Sequence, residues 1–396
     1  MILIGLQRYE KIVKYTLVVV IFLYLCAVNA LKMRNMWMLI FMVLPFLAVF
    51  YIGWHVWAIL PFARLWKALT VLLMAGSFLL LFFVLRRQLD NYSLPVAQVL
   101  YDVGTSSVFV MLYLVMIFLL LDLGRLVHLV PRSLLFNNWQ MALGIFVLIF
   151  AVFLYGNIHY YNKVRVALEL TSSKPLPKEY KVVMASDLHL GYHNTRKELA
   201  RWVDMINAEK PDFILIAGDV IDGSIRPLIE EHMAEEFHRL EAPVYACLGN
   251  HEHFGGDANA RRFYQDAGIH LLTDEAAVID SAIVVIGRDD RMNRHRKSIW
   301  DLMPSSHLYT IVLDHQPYDL DLAEKAGVDF QLSGHTHRGQ VWPISWITDA
   351  IYECSWGAYQ RDDTQFYVSS GMGIWGGKFR IGTRSEYVVA EVRSKR

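Results

Sequence analysis

The stretch QLSGHTHRGQ, residues 331–340, places His335 and His337 on either side of one threonine, directly after an apolar run and Gly334. In an extended segment, residues two apart point to the same face, so this spacing aims two imidazoles at one point. Two converging imidazoles form half of a metal site. The stretch therefore predicts a strand that ends in a metal-binding loop.

Other candidate strands end in the same way. Short β-rich runs alternate with segments of helical spacing, such as RKELARWVDMINAEK, which predicts an α/β fold on largely buried sheets. The runs are KVVMASD, DFILIAGD, PVYACLGN, AIVVIG, LYTIVLDH, VDFQLSGH and QFYVSSG. The metal-capable residues at their ends are Asp187, His189, Asp219, Asn250, His251, His315, His335 and His337. Because ligands bind at the carboxyl ends of strands in α/β sheets, we expect these side chains to meet in one crevice.

The chemistry of this set is that of hydrolytic metal centres. Carboxylates, imidazoles and one amide oxygen suit Mn²⁺, Fe²⁺ or Zn²⁺. The three cysteines, Cys26, Cys247 and Cys354, lie far apart and supply no thiolate pair. Two cations about 3.5–4 Å apart hold a phosphate and produce a hydroxide nucleophile near neutral pH. The residues therefore predict phosphoester hydrolysis.

Five motifs carry a family resemblance. SDLH, GDVID, GNHEH, DHQP and GHTH, in that order, resemble the calcineurin-like metallophosphoesterase superfamily over roughly residues 181–392. The extended GHTHRGQ and the tail YVSSGMGIWGGKFRIG look most like a branch of membrane-tethered bacterial phosphoesterases, which includes relatives of a UDP-2,3-diacylglucosamine pyrophosphatase. The resemblance implies two packed β-sheets flanked by helices, and a phosphodiesterase or pyrophosphatase activity that depends on metal.

The resemblance also implies two divalent ions, with Mn²⁺ expected and Fe²⁺ or Zn²⁺ as alternatives. One metal would be held by Asp187, His189, Asp219 and His337. The second would be held by Asp219, Asn250, His315 and His335, so that Asp219 bridges the pair.

The remaining site residues are implied to act around the metals. His251 matches the family residue that stabilises the transition state or protonates the leaving oxygen, and Asp222 and Glu252 are expected to orient histidine N–H groups. Two positions depart from the family pattern. Arg338 stands where a glycine is common and either contacts a substrate phosphate or narrows the site. Asp314 replaces a small residue and is expected to bring an extra carboxylate near the second metal.

The first part of the chain predicts a membrane domain. Of the 396 residues 55% are hydrophobic, and the excess lies before about residue 160. Windows 15–31, 36–60, 66–85, 106–130 and 139–155 are apolar enough to cross a hydrocarbon core of about 30 Å. We expect an all-α membrane domain of about five helices at 1–160, a linker at 161–180 and the metallophosphoesterase sandwich at 181–396.

The distribution of charged residues bears on the partner and on the location of the protein. Lys and Arg number 38, as do Asp and Glu, so the balance gives no indication of a nucleic-acid partner. The loop charges divide almost evenly between the two sides, but Arg8, Lys11 and Lys14 before the first window favour a cytoplasmic amino terminus. Five spans then place the catalytic domain outside the cytoplasm, on a multi-pass protein of the bacterial inner membrane.

These features together predict a membrane-anchored, two-metal phosphoesterase. Its substrate is expected to be a phosphoester or pyrophosphate, lipid-linked or nucleotide-linked, cleaved by metal-activated hydroxide. The alternative is a metal-binding sensor or transporter-associated domain without hydrolase activity. Few ionisable residues within the windows disfavour a transport pathway, and the intact His251 disfavours a binding-only domain.

Overall fold

The computed structural model describes residues 34–305 and 307–395, which form two compact units. Among the described residues, the first unit comprises 34–82 and Ser107–Ala151. The second comprises Phe83–Ser106 and the chain from Val152 onward.

The described residues before 162 include four long helices. They are α1 (Arg34–Ile59), α2 (Arg64–Leu85), α3 (Leu94–Leu126) and α4 (Trp139–Tyr161). Among the described residues, α2, α3 and α4 are long and apolar enough to cross a membrane, and Val43–Ile59 is a shorter apolar helix. The predicted window 15–31 lies outside the described residues, and the other four windows fall on these helices.

Helix α3 begins 12 residues before its predicted window, at Leu94 rather than 106. Pro95 lies in the first turn of α3. Backbone N–H groups in the first turn of a helix have no intrahelical acceptor, so the missing N–H of Pro95 does not prevent the helix from beginning at Leu94. At 1.5 Å per residue the helix is about 50 Å long, more than a hydrocarbon core of about 30 Å requires. The surplus turns, up to Ser106, belong to the second unit.

Two six-stranded sheets form the second unit. The first has the order β1-β12-β2-β3-β4-β5, and the second β10-β11-β9-β8-β7-β6. The strands of the first are β1 (Val164–Ser172), β2 (Tyr180–Ala185), β3 (Phe213–Ala217), β4 (Val244–Cys247), β5 (His270–Leu271) and β12 (Glu386–Ser394). Those of the second are β6 (Glu275–Ile279), β7 (Ile283–Gly287), β8 (Tyr309–Leu313), β9 (Phe330–Ser333), β10 (Gly357–Arg361) and β11 (Thr364–Val368). Strands β2 to β5 are parallel, as are β7, β8, β9 and β11.

Alternate residues of each strand enter different cores, because strand side chains alternate between faces. Met184 and Phe330 belong to an apolar cluster between the two sheets. Val183, the neighbour of Met184, packs in a cluster that contains Leu199 and Trp202 of helix α5. The predicted fold, two packed sheets flanked by helices, is therefore confirmed.

The helices of this unit connect the strands. They are α5 (Arg196–Glu209), α6 (Arg226–Glu230), α7 (Ala234–Phe237), α8 (Asn250–Gly255), α9 (Asp257–Asp266), α10 (Ile299–Leu302), α11 (Leu320–Lys325) and α12 (Ile344–Ile351). Helix α5, predicted from its periodicity, begins with a capping box between Thr195 and Glu198.

The segment expected to be a linker contains a strand. Strand β1 occupies residues 164–172 of the expected 161–180 linker and pairs in parallel with β12, Val164 opposite Glu386. Buried and exposed residues alternate along this segment, with Leu168 and Leu170 turned inward, and such alternation is typical of a β-strand. Its partner lies more than 200 residues away along the chain, so no local pattern indicates the pairing. The domain boundaries at 160 and 180 stay a prediction.

We expect Phe330→Ala to lower the melting temperature of the purified full-length protein by about 10 °C, since emptying a buried aromatic site costs about 3–5 kcal/mol. Phe330 is fully buried between the sheets. Val278→Ala, at a side chain that is 60% exposed on edge strand β6, is the control and should shift melting by less than about 2 °C. Equal shifts for the two variants in a thermal melt would contradict the assignment of the core.

Candidate metal centre

All seven predicted metal ligands lie in loops at the carboxyl ends of strands. Asp187 and His189 follow β2, and Asp219 follows β3. Asn250 follows β4 as the first residue of α8. In the second sheet, His315 follows β8, and His335 and His337 follow β9. Because the parallel strands end at the same edges, both sheets contribute to one crevice, as the sequence predicted.

The loops hold these residues in an unusual backbone conformation. Asp187, His189, Asp219, His335 and His337 all have positive φ, between 45° and 70°. This left-handed region costs a non-glycine residue about 1–3 kcal/mol and is concentrated at functional sites.

Two glycines of the motifs allow the loops to approach closely. A Cβ on Gly334 would lie 2.3 Å from Asp187 Oδ2, and one on Gly249 would lie 2.2 Å from Asp219 Oδ1. Any side chain at either position would displace a predicted ligand. The glycines of GHTH and GNHEH are therefore required by packing.

Three predicted ligands form a first group. His189 Nε2 lies 3.1 Å from His337 Nε2 and 3.9 Å from Asp187 Oδ1. His337 Nε2 lies 3.6 Å from the same Asp187 oxygen. One ligand atom from each residue falls within 4.8 Å of the other two, a spacing that could hold a metal ion.

A second group lies beside the first. His315 Nε2 is 3.1 Å from Asp219 Oδ2 and 3.2 Å from Asn250 Oδ1. His335 Nδ1 is 2.8 Å from the same Asn250 oxygen. Asp219 Oδ2 is also 3.7 Å from His189 Nε2 of the first group. Asp219 thus lies between the groups, where a bridging carboxylate is expected.

The hydrogen-bond roles of the histidines fit a metal pair. His189 Nδ1 faces Asp222 Oδ1 at 3.1 Å, and His315 Nδ1 faces the Ala217 carbonyl at 2.8 Å. Both partners only accept, so each Nδ1 carries a proton and each Nε2 faces further ligand atoms. Burial opposes a charge on His315, but Asp219 outweighs burial and raises the pKa of His315 well above its usual range, so a proton lies between its Nε2 and the facing oxygens unless a metal ion replaces it. Lone pairs that face one another repel unless a cation lies among them. Nitrogen and oxygen donors without thiolate suit divalent Mn, Fe or Zn.

The combined effect of burial and neighbouring charges lowers the pKa values of two predicted histidine ligands and of Asp219. Burial and the neighbouring His315 lower the pKa of His335 to about 4. Burial and His189 hold the pKa of His337 well below its usual range. Burial opposes the charge of Asp219, but His315 and His251 outweigh it and hold its pKa well below normal. Neutral imidazoles and an ionised carboxylate are the forms that bind metal.

His251 lies at the edge of both groups, in the first turn of α8. Its backbone N–H donates to Asp219 Oδ1 at 2.9 Å, and its Nδ1 faces the Asp222 carbonyl at 2.8 Å. Burial lowers the pKa of His251, but Asp219 and Asp222 outweigh it and raise the value to about 10. Nδ1 is therefore a donor, and Nε2 is left to act on a bound molecule.

The two predicted supporting carboxylates behave differently. Asp222 accepts from His189, in agreement with its expected role. Glu252 contacts no histidine among its described hydrogen bonds, which corrects the expectation that it orients one. It accepts instead from the backbone N–H groups of Asp219, Ile221 and Gly249, at 3.1, 2.9 and 2.7 Å. It therefore fixes the loops that carry the ligands.

The two departures from the family pattern also have partners. The Arg338 guanidinium lies 4.0 Å from the centroid of the Trp356 ring, and its contact with a phosphate stays a prediction. The Asp314 carboxylate pairs with Arg288 at 2.7 Å and Arg296 at 3.1 Å. Two guanidinium groups thus already neutralise the extra carboxylate that was expected beside the second metal.

Two supporting residues were missed by the sequence analysis. Arg380 is fully buried and donates to the His337 carbonyl at 2.8 Å, the Gly373 carbonyl at 3.2 Å and Ser385 Oγ at 3.2 Å. Tyr101, from the early turns of α3, donates to Asp222 Oδ2 at 2.5 Å. Arg380 lies in the tail YVSSGMGIWGGKFRIG, which gave it no individual role, and Tyr101 precedes the predicted membrane window.

The chain belongs to the calcineurin-like metallophosphoesterases. The family model described as calcineurin-like phosphoesterase matches residues 180–339. An uncharacterized metallophosphoesterase from Aquifex aeolicus is 31% identical over 246 residues, which cover 58% of this chain and 92% of the relative. This family uses a dinuclear centre of divalent metals, to which the described His and Asp clusters correspond.

Other relatives differ in how much of their length is matched. The uncharacterized metallophosphoesterase Cj0846 from Campylobacter jejuni is 29% identical over 230 residues, 56% of this chain and 61% of the relative. A transmembrane protein with metallophosphoesterase domain from Danio rerio is 27% identical over 355 residues, 82% of this chain and 79% of the relative. With the three apolar helices, this match supports a membrane protein. The predicted membership of the branch that includes relatives of UDP-2,3-diacylglucosamine pyrophosphatase stays a prediction.

We expect Arg380→Met to lower stability by about 3 kcal/mol, because the backbone carbonyls it serves lose a buried donor. Metal affinity should fall about 10- to 100-fold, since the His337 loop is released. Thermal melting and competition with a chelator measure the two effects. Arg165→Met, whose side chain is 45% exposed, is the control and should change neither. An Arg380→Met protein that keeps full metal affinity would exclude this supporting role.

Tyr101→Phe should weaken Mn²⁺ binding about tenfold, because Asp222 loses a hydrogen bond while the ring still fills its space. Competition titration of the full-length protein checks this. Tyr359→Phe removes an exposed hydroxyl that bonds Glu353 and should leave the affinity unchanged. The same affinity in both variants would mean that Tyr101 only packs.

Proposed function

We propose that this protein is a membrane-anchored phosphohydrolase that uses two divalent metals to break a phosphoester or pyrophosphate bond. The observation that carries the proposal is the arrangement around Asp219. Its Oδ2 lies 3.1 Å from His315 Nε2 and 3.7 Å from His189 Nε2, and its Oδ1 accepts from the backbone of His251. The Asp219 carboxylate therefore lies between the two ligand groups and also contacts His251, the proposed proton donor.

The proposed ligand sets follow the two groups. One metal would be held by Asp187, His189, Asp219 and His337. The other would be held by Asp219, Asn250, His315 and His335. Bound metals would neutralise charge on the phosphoryl oxygens and lower the pKa of water.

The chain's own residues would complete the reaction. The oxygen of water forms a bond to phosphorus, and the bond from phosphorus to the leaving oxygen breaks. His251 would donate the proton from Nε2 to that oxygen, since its Nδ1 is held by the Asp222 carbonyl. Asp222 keeps His189 in the tautomer that leaves Nε2 free for a metal.

The finer proposal concerns metal, substrate and location. We propose Mn²⁺ as the metal, and a lipid-linked or nucleotide-linked phosphodiester or pyrophosphate as the substrate. Helices that are long and apolar enough to span a membrane support a substrate delivered along the bilayer. The location proposed is the bacterial inner membrane, with the active site outside the cytoplasm, on the charge argument from Arg8, Lys11 and Lys14.

The test is hydrolysis by the purified full-length protein after removal of metal by chelator and reloading with Mn²⁺. A bis-aryl phosphodiester, nucleotide-linked lipids and polyprenyl pyrophosphates form the substrate panel. We expect activity only with metal, and a loss in His251→Ala of about 10²- to 10⁴-fold in kcat with metals retained.

His253→Ala is the matched control, because His253 lies on the same short helix and its Nε2 faces Asp289 at 3.0 Å. It should keep activity within about twofold. Full activity in His251→Ala would overturn the assigned acid. Two bound metals without turnover of any panel member would favour a sensor or transporter-associated domain.

A further inference from the structure

A cavity of about 420 Å³ lies within the second unit, directly beside His251. Its volume is in the range of small-molecule sites. Most of the surface that lines the cavity is apolar, and it includes Leu85, Leu89, Phe254 and Trp375. The polar lining includes Arg87, Asp90 and Ser224 as well as Asp222 and His251 of the candidate metal centre.

His251 contacts both a predicted metal ligand and the cavity wall. Its ring centroid lies 4.6 Å from that of His189 and 5.5 Å from that of Phe254, which lines the cavity. Because Nδ1 is held by the Asp222 carbonyl, Nε2 is the nitrogen left to protonate a leaving oxygen. A leaving group that takes this proton would therefore extend beside the cavity, while the phosphate lies among the metal ligands.

The cavity wall has the character of a lipid site. Leu85 is 57% exposed and Phe254 is 50% exposed, although both line a cavity next to a charged centre. Exposed apolar surface that adjoins a polar site is typical of ligand grooves. Leu85 is also the last residue of α2, a helix that is long and apolar enough to cross a membrane. An amphiphile that carries an anionic phosphate and an apolar chain matches both surfaces.

We propose that this cavity binds the apolar chain of the leaving group, so that the substrate is a membrane amphiphile whose phosphate-to-alcohol bond is broken. The inference rests on the proposed function. Water's oxygen bonds to phosphorus and releases one proton to solvent, and the bond from phosphorus to the lipid alcohol breaks. The alcohol oxygen keeps the electron pair and takes the His251 proton, which solvent then replaces. The products are a lipid alcohol and the phosphate that remains.

Kinetics with n-alkyl phosphates, from ethyl to octyl, test the inference on the Mn²⁺-loaded full-length protein in nanodiscs of fixed composition. Each methylene that the cavity buries should raise kcat/KM about fourfold. In Leu85→Ser and Phe254→Ser, the ratio of octyl to ethyl kcat/KM should fall at least tenfold. Val278→Ser, at an apolar side chain that is 60% exposed on β6, is the control for partition into the nanodisc and should keep the ratio of the unmodified protein.

A binding series separates this inference from the proposed function. Affinities for matching n-alkylphosphonates, which cannot be hydrolysed, are measured by calorimetry on the same variants. A rise in affinity with chain length that disappears in Leu85→Ser and Phe254→Ser supports the cavity, even if no phosphate is turned over. If turnover requires His251 but neither kcat/KM nor affinity depends on chain length, the proposed role of the cavity is wrong, whereas the proposed hydrolase function stands. A chain-length dependence that is equal in Val278→Ser and Phe254→Ser also overturns it.

Discussion

The second unit depends on one electrostatic constraint: lone pairs from imidazoles, carboxylates and an amide oxygen are held within about 4 Å of one another in a buried crevice. Water cannot screen them, so a cation or a proton must lie between them. The loop conformation holds these groups together in spite of the repulsion. Asp187 and Asp219 have positive φ, Gly249 and Gly334 allow the loops to approach closely, and hydrogen bonds fix the loops. The local strain is the cost of keeping the donors in place before a metal arrives.

The packing of the two sheets sets the geometry of both ligand groups. The first group joins Asp187 and His189 of one sheet to His337 of the other, and the second joins Asp219 to His315 and His335 in the same way. The separation across each group therefore depends on the apolar layer between the sheets, in which Phe330 and Met184 lie. A change in the volume of that layer would alter metal spacing without touching a ligand.

Local patterns predicted the strands and the positions of the candidate ligands, because each candidate lies within a few residues of the end of its own apolar strand. The contacts that the sequence did not reveal join residues far apart along the chain. Strand β1 pairs with β12, Asp314 meets Arg288 and Arg296, and Arg380 serves the His337 loop. Glu252 was expected to orient a histidine, but it accepts from backbone N–H groups and from the Tyr264 hydroxyl.

The early turns of α3 link the membrane helices to the acid network of the site. Tyr101 donates to Asp222 Oδ2, while Asp222 Oδ1 faces His189, so one carboxylate joins a helix that is long enough to span a membrane to a predicted metal ligand. Leu85 and Leu89 supply part of the cavity wall beside His251 in the same unit. A domain that began after the last long helix would lack all three residues, and Asp222 would lose a buried donor. The segment 83–106 therefore belongs by its contacts to the same unit as the predicted metal ligands.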